Sequence, residues 1–193
     1  MSTASPHLEE TPVARLELMW GAMGLARLRA ATVMVLGCGG VGSNCIEALA
    51  RGGVGRLVIV DGDAVAPSNI NRQAIAFTST IGKRKVDVMR AFIAQVNPDA
   101  RVVAHDRFVR AEDIDELFAD CRAACGERID YVIDAIDTVS TKIAIAAWTA
   151  RTGTPLVSSM GRREQARPLS SVPLRPYSND ARPACAHHAQ GVP

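Results

Sequence analysis

A glycine turn, one carboxylate and a small group of charged side chains are the residues of this 193-residue chain whose types and spacing could do chemistry. Gly37, Gly39 and Gly42 satisfy G-x-G-x-x-G, with Gly40 among them, between an apolar run, Thr32 to Leu36, and an amphipathic helical pattern. Glycines at such a strand-to-helix turn let backbone N–H groups approach phosphate, and the helix N-terminus behind them favours anions. A second apolar run, Leu57 to Val60, ends on Asp61, placed where a carboxylate can take ribose hydroxyls. The stretch reads as one βαβ nucleotide-binding unit, a pattern shared by NAD, FAD and S-adenosylmethionine folds.

The residues after Asp61 narrow the ligand. Asp61, Asp63, Asn69, Arg72 and Lys85 fall in the loop and helix start beyond the second strand, at the carboxyl end where open α/β sheets bind ligands. Two cations and an amide aimed at one site suit a triphosphate better than a pyrophosphate held by backbone alone. A later strand ends in D-A-I-D, which puts Asp134 near the same rim and Asp137 just beyond it. A carboxylate facing phosphates across a crevice commonly holds Mg²⁺. Of the pair, Asp134 reads as structural and Asp137 as the metal residue.

These positions require a particular scaffold. Leu16, Met19, Trp20, Met23, Leu25 and Leu28 recur at roughly helical spacing, so one or two short helices precede the first strand. A helix is expected from about Lys83 to Asn97-Pro98, a strand over Arg101 to Ala104, and a helix over Ala111 to Cys125 with Ile114, Leu117, Phe118 and Cys121 as its stripe. Strand Tyr131 to Asp134, an Ala-rich helix Thr138 to Thr152 and strand Leu156 to Ser159 follow. Strands alternating with helices imply an α/β, doubly wound, mostly parallel Rossmann-like sheet. The expected organisation is a disordered N-terminus over residues 1–12, a nucleotide-binding domain over 13–160, and a non-native or disordered tail over 161–193.

Composition sets outer limits. Hydrophobic residues make up 48% and charged residues 22%, enough for one sizeable core, and a net charge of +2 gives no whole-molecule electrostatic reason for nucleic-acid binding. Five cysteines without C-x-x-C spacing read as reduced thiols rather than a zinc or redox site. No apolar run approaches membrane-spanning length and no targeting segment is recognisable, so the expected location is the cytoplasm.

With these residues in view, the sequence resembles the ubiquitin-activating-enzyme-like (ThiF/MoeB-type) superfamily of adenylating enzymes. The matching text is G-C-G-G-V-G-S, then D-G-D-x-V-x-x-S-N-I-N-R-Q with a downstream G-K-x-K, then D-A-I-D. G-L-A-R-L, N-I-N-R-Q, V-N-P-D-A-R-V and Y-V-I-D-A-I-D look most like its tRNA threonylcarbamoyladenosine dehydratase branch. The resemblance implies that Asp61 holds the ATP ribose, Asn69, Arg72 and Lys85 the phosphates and Asp137 the Mg²⁺. It also implies a homodimer in which Arg27 reaches a partner's ATP, with tRNA as substrate and sulfur-relay proteins as further partners. A substrate carboxylate would attack the α-phosphate, and an internal nitrogen would then displace AMP and close a ring. Three other readings stand beside it: adenylation of a sulfur-carrier protein, an NAD-dependent oxidoreductase, and an inactive truncated fragment. The first would want C-x-x-C zinc pairs, and the second leaves N-I-N-R-Q, Lys85 and Asp137 unexplained.

From Gly161 the character changes. The tail carries five of the ten prolines, lacks periodicity, and includes Cys185, His187 and His188. The branch would continue here with G-A-G-N-K-x-D-P and later D-P-L-A-R-x-x-R-K-E. Codons for G-R-R-E-Q-A-R-P-L exist that yield the first motif after dropping one base, and codons for A-R-P-A-C-A-H-H-A-Q-G yield the second by the same shift. The tail is therefore expected to be a disordered frameshift product, whose histidines have no selected role. Sequencing the gene across the Gly161 codon decides this: codons that cannot give those motifs in the neighbouring frame contradict it.

Overall fold

The structure, a computed structural model, describes residues 10–126 and 128–160. The expectations for residues 1–9 and for the tail from Gly161, including Cys185, His187 and His188, lie outside the described residues. Helix α1 (Ala14–Ala30) is followed by β1 (Thr32–Leu36), α2 (Gly40–Arg51), β2 (Arg56–Val60), α3 (Lys85–Val96) and β3 (Arg101–His105). Then come α4 (Ile114–Cys125), β4 (Tyr131–Asp134), α5 (Val139–Thr152) and β5 (Leu156–Ser158).

The strands form one five-stranded sheet in the order β3-β2-β1-β4-β5. The expected sheet was mostly parallel; every strand pairing in it is parallel. Boundaries move by a residue or two: α3 begins at Lys85 rather than Lys83, a 3₁₀ turn over Ala111–Asp113 precedes α4, and β5 ends at Ser158. The one or two helices expected before β1 are two stretches within α1, parted at Gly21, where the backbone leaves helical angles (φ 68°, ψ 170°).

The apolar runs form strands because both faces are covered. Along β1, Val33 and Val35 point into a cluster with Ile46 and Ala50 of α2 and Met89 and Ile93 of α3. Met34 and Leu36 point the other way, toward Leu117 and Phe118 of α4 and Ile145 and Trp148 of α5. This alternation explains why the central strands read as unbroken apolar runs. On the second face Phe118 stacks on Trp148 with ring centroids 3.9 Å apart. Arg29, Arg51, Arg122 and Arg151 occupy the last turns of α1, α2, α4 and α5, where cations complement the helix macrodipole. Among the described residues no helix is long and apolar enough to cross a membrane.

The strand order fixes the location of a site. From β1 the chain builds outward through β2 and β3, then returns to the other side of β1 for β4 and β5. The loops leaving β1 and β4 therefore part company and leave a crevice at the carboxyl end of the sheet.

Candidate functional site

The crevice begins with the glycine turn. Gly37 leaves β1 at φ 96°, in the left-handed region, and its N–H donates to the Val60 carbonyl at 2.8 Å. A Cβ on Gly42 would lie 1.8 Å from the Gly37 carbonyl oxygen, and one on Gly37 would lie 3.0 Å from that of Ala135. The turn is thus closed against the exit of β4 with no room for a side chain at either place. Ser43 Oγ donates to the Gly39 carbonyl at 2.7 Å and accepts the Ala74 N–H at 3.1 Å, which ties α2 to the segment carrying Arg72.

A cleft of about 750 Å³ opens above this turn. Gly37, Gly39, Gly40, Asp61, Asp63, Asn69, Arg72, Lys85 and Asp137 all line it. Gly42 lies behind, packed on Gly37, and Arg27 is exposed on α1 and is not part of the lining. Residues separated by up to 100 positions thus converge at one end of the sheet, as the motif spacing requires.

On the β2 side the side chains of Asp61, Lys85, Asn69 and Arg72 are each anchored. Asp61 accepts the Cys38 N–H on Oδ2 at 2.6 Å and the Asp63 N–H on Oδ1 at 2.8 Å, so it holds the glycine turn and its own loop together. Lys85 is buried and its Nζ donates to Asp63 Oδ2 at 2.8 Å. Asn69 is buried and its Oδ1 accepts the Ala66 N–H at 3.0 Å, stabilising the 3₁₀ turn Pro67–Asn69. Arg72 donates from Nη1 to the Ser68 carbonyl at 2.7 Å and lies over Gly40. These residues are therefore structural and cleft-lining at once.

The β4 side is arranged differently. Asp134 is fully buried and pairs with Lys142 at 2.9 Å, whereas Asp137 is exposed in the cleft. Among the described residues Asp137 makes no hydrogen bond or ion pair. Phe108 and Val109 form a wall that sequence reasoning missed; Phe108 remains 58% exposed. The β3–α4 loop reaches the cleft because Arg84 bonds both Asp106 and the Gly62 carbonyl. A Cβ at Gly62 would stand 2.6 Å from the Phe108 nitrogen, so the glycine of D-G-D was the available signal. The bonds from Arg84 hold the Asp106 carboxyl below its usual range and raise the Arg84 guanidinium.

The charge of the cleft bears on what it can hold. Its lining carries the carboxylates of Asp61, Asp63 and Asp137 against the cations Arg72 and Lys85. A triphosphate would meet no excess of positive side chains, so an accompanying divalent cation fits. A single carboxylate is the usual protein share for Mg²⁺, which keeps waters and binds phosphate oxygens. Among the described residues no cluster of three or more His, Cys, Asp or Glu could cage a metal ion. Two thiols among the described residues are held well above their usual range: burial first, then Asp61, pushes Cys38 far up, and burial pushes Cys121 up to about 12.

Comparison with known proteins identifies the family. The ThiF family model matches residues 13–173. A tRNA threonylcarbamoyladenosine dehydratase of Bacillus subtilis is 45% identical over 154 residues, covering 80% of this chain and 58% of that protein. The crystal structure of the Escherichia coli tRNA N6-threonylcarbamoyladenosine dehydratase in complex with ATP superposes with a TM-score of 0.72 at 36% identity, covering 78% of this chain and 59% of that one. An adenylyltransferase and sulfurtransferase uba4 of Aspergillus niger is 34% identical over 164 residues, 85% of this chain and 31% of the relative. The chain thus spans less than two thirds of the length of each of these relatives.

Proposed function

The chain belongs to the ThiF family, and from that premise we propose that its cleft binds Mg·ATP and adenylates a carboxylate, the threonylcarbamoyl group of a modified adenosine in tRNA. The observation that carries this reading is the convergence of the glycine turn, Asp61, Asn69, Arg72, Lys85 and Asp137 on one cleft at the topological switch point. The dehydratase relatives are more similar than the uba4 protein, which favours the tRNA substrate over a sulfur carrier.

The residues divide the work as follows. Backbone N–H groups of the glycine turn and the start of α2 face phosphate, Asp61 takes the ribose, and Phe108 offers an apolar wall for the base. Asn69, Arg72 and Lys85 bind phosphate oxygens, and Asp137 holds the cation, which neutralises charge on the phosphates when bound. Attack of the substrate carboxylate on the α-phosphate releases pyrophosphate, and an internal nitrogen then expels AMP as the ring closes. Positioning and charge neutralisation are sufficient for such a substitution, and no covalent protein nucleophile is needed.

A homodimer in the cytoplasm completes the proposal. Leu18, Met19, Trp20 and Met23 leave an exposed apolar face on α1, the helix that carries Arg27. Trp20→Asp is expected to lower the mass measured by analytical ultracentrifugation from dimer to monomer. The catalytic reading is tested by ATP–pyrophosphate exchange with tRNA bearing threonylcarbamoyladenosine. Arg72→Ala is expected to abolish exchange with an unchanged Tm, and near-normal exchange would contradict the assignment.

A further inference from the structure

Below Asp137 lies a polar cluster that the nucleotide reading does not use. Asp134, fully buried at the end of β4, accepts Lys142 Nζ at 2.9 Å and Ser158 Oγ at 2.6 Å on Oδ2, and the Ile136 N–H at 3.2 Å on Oδ1. Lys142, buried in the first turns of α5, also donates to the Ser159 carbonyl at 2.8 Å and to Ser158 Oγ at 3.4 Å. One carboxylate and one ammonium thus join the ends of β4 and β5, the start of α5, and the turn Ala135–Asp137.

Burying two charges carries a desolvation penalty that apolar residues of like volume would avoid, so stability alone does not explain an ion pair here. Geometry does. Asp137 has no side-chain partner among the described residues, so only the backbone of its turn sets its position. That backbone is held by the Ile136 N–H on Asp134, by the Ala135 N–H on the Leu36 carbonyl at 2.9 Å, and by the Ser159 N–H on the Asp134 carbonyl at 2.9 Å.

Resting on the Mg·ATP reading of the cleft, we propose that Lys142 is a positioning residue for the metal side of the site. Through Asp134 it fixes the Ala135–Asp137 turn and so determines where the Asp137 carboxylate stands. Removing Lys142 should impair the cation's contribution and leave the β2-side phosphate and ribose contacts unaffected.

The 193-residue chain is titrated calorimetrically with ATP in Mg²⁺ and with ATP in EDTA, as wild type, Lys142→Met and Lys142→Arg. Lys142→Met is expected to weaken binding about tenfold in Mg²⁺ and less than about twofold in EDTA, the scale of loss for groups that orient a metal-binding side chain. Equal weakening in both buffers, or none in either, overturns the positioning role. If circular dichroism finds Lys142→Met unfolded, Lys142→Arg, which keeps a cation beside Asp134 but not the compact ammonium that bonds Asp134 and the Ser159 carbonyl together, decides on the same Mg²⁺-selective criterion. A wild-type chain that binds ATP in neither buffer instead overturns the nucleotide reading itself.

Discussion

The two rims of the cleft hold their side chains by opposite means. On the β2 rim, Asp61, Asn69, Arg72 and Lys85 are each bonded directly to nearby backbone or to one another's loops. On the β4 rim, Asp137 stands unbonded among the described residues, and its turn is secured from beneath by the buried Asp134–Lys142 pair. Direct anchoring makes Asp61, Asn69 and Lys85 serve fold and ligand together, so that mutating one of them disturbs both; Arg72, exposed and bonded only to groups of its own loop, serves the ligand at little cost to the fold. Support from beneath separates the two: the exposed carboxylate is free for a cation, and the stabilising contacts lie elsewhere.

That contrast can be broken most sharply at its base. Lys142→Met leaves the fully buried Asp134 carboxyl without its counter-ion, and removing one partner of such a pair costs about 3–5 kcal/mol in urea unfolding. A loss below about 1 kcal/mol would mean the rim is not supported from beneath. On the other rim, Asp61→Ala strips the Cys38 and Asp63 N–H groups of their acceptor and is expected to cost about 1–3 kcal/mol together with nucleotide affinity. Asp137→Ala should change stability by less than about 0.5 kcal/mol while abolishing the benefit of Mg²⁺ to ATP binding. If Asp137→Ala destabilised the chain as much as Asp61→Ala, the distinction between the rims would fail.

The smallest expected effect is a pH dependence at His105, beside the β2 rim. Burial lowers its pKa in the folded chain, with Arg107 adding to the shift and Asp120 opposing it, and its Nε2 has no hydrogen-bond partner. The unfolded chain therefore binds the proton at higher pH than the folded one, so stability falls as pH drops below about 6.5. His105→Gln should flatten the decline in urea midpoint between neutral and mildly acidic pH, and an unchanged decline would place its origin elsewhere.

Much of this was legible because the information is local. Apolar runs bounded by glycine or Asp became β1 and β2, the stripe Ile114, Leu117, Phe118, Cys121 became the buried face of α4, and the β2-rim residues fall within one 25-residue stretch from Asp61 to Lys85. The split between buried Asp134 and exposed Asp137 could be read from one lying at the strand end and the other beyond it. Lys142 could not, since a lysine in an Ala-rich helix reads as a solvated charge until β5 brings Ser158 beside it. Phe108 was missed for a similar reason: its place depends on the bond from Arg84 to Asp106, 22 positions away, and no periodicity encodes that contact. The kink at Gly21 interrupts a stripe that reads as nearly continuous.

The most direct test of the account is a calorimetric titration of the chain with Mg·ATP and, separately, with NAD. The expected result is saturable binding of Mg·ATP that Asp137→Ala weakens, with no heat from NAD. Binding of NAD in preference to ATP, or of neither nucleotide, would contradict it.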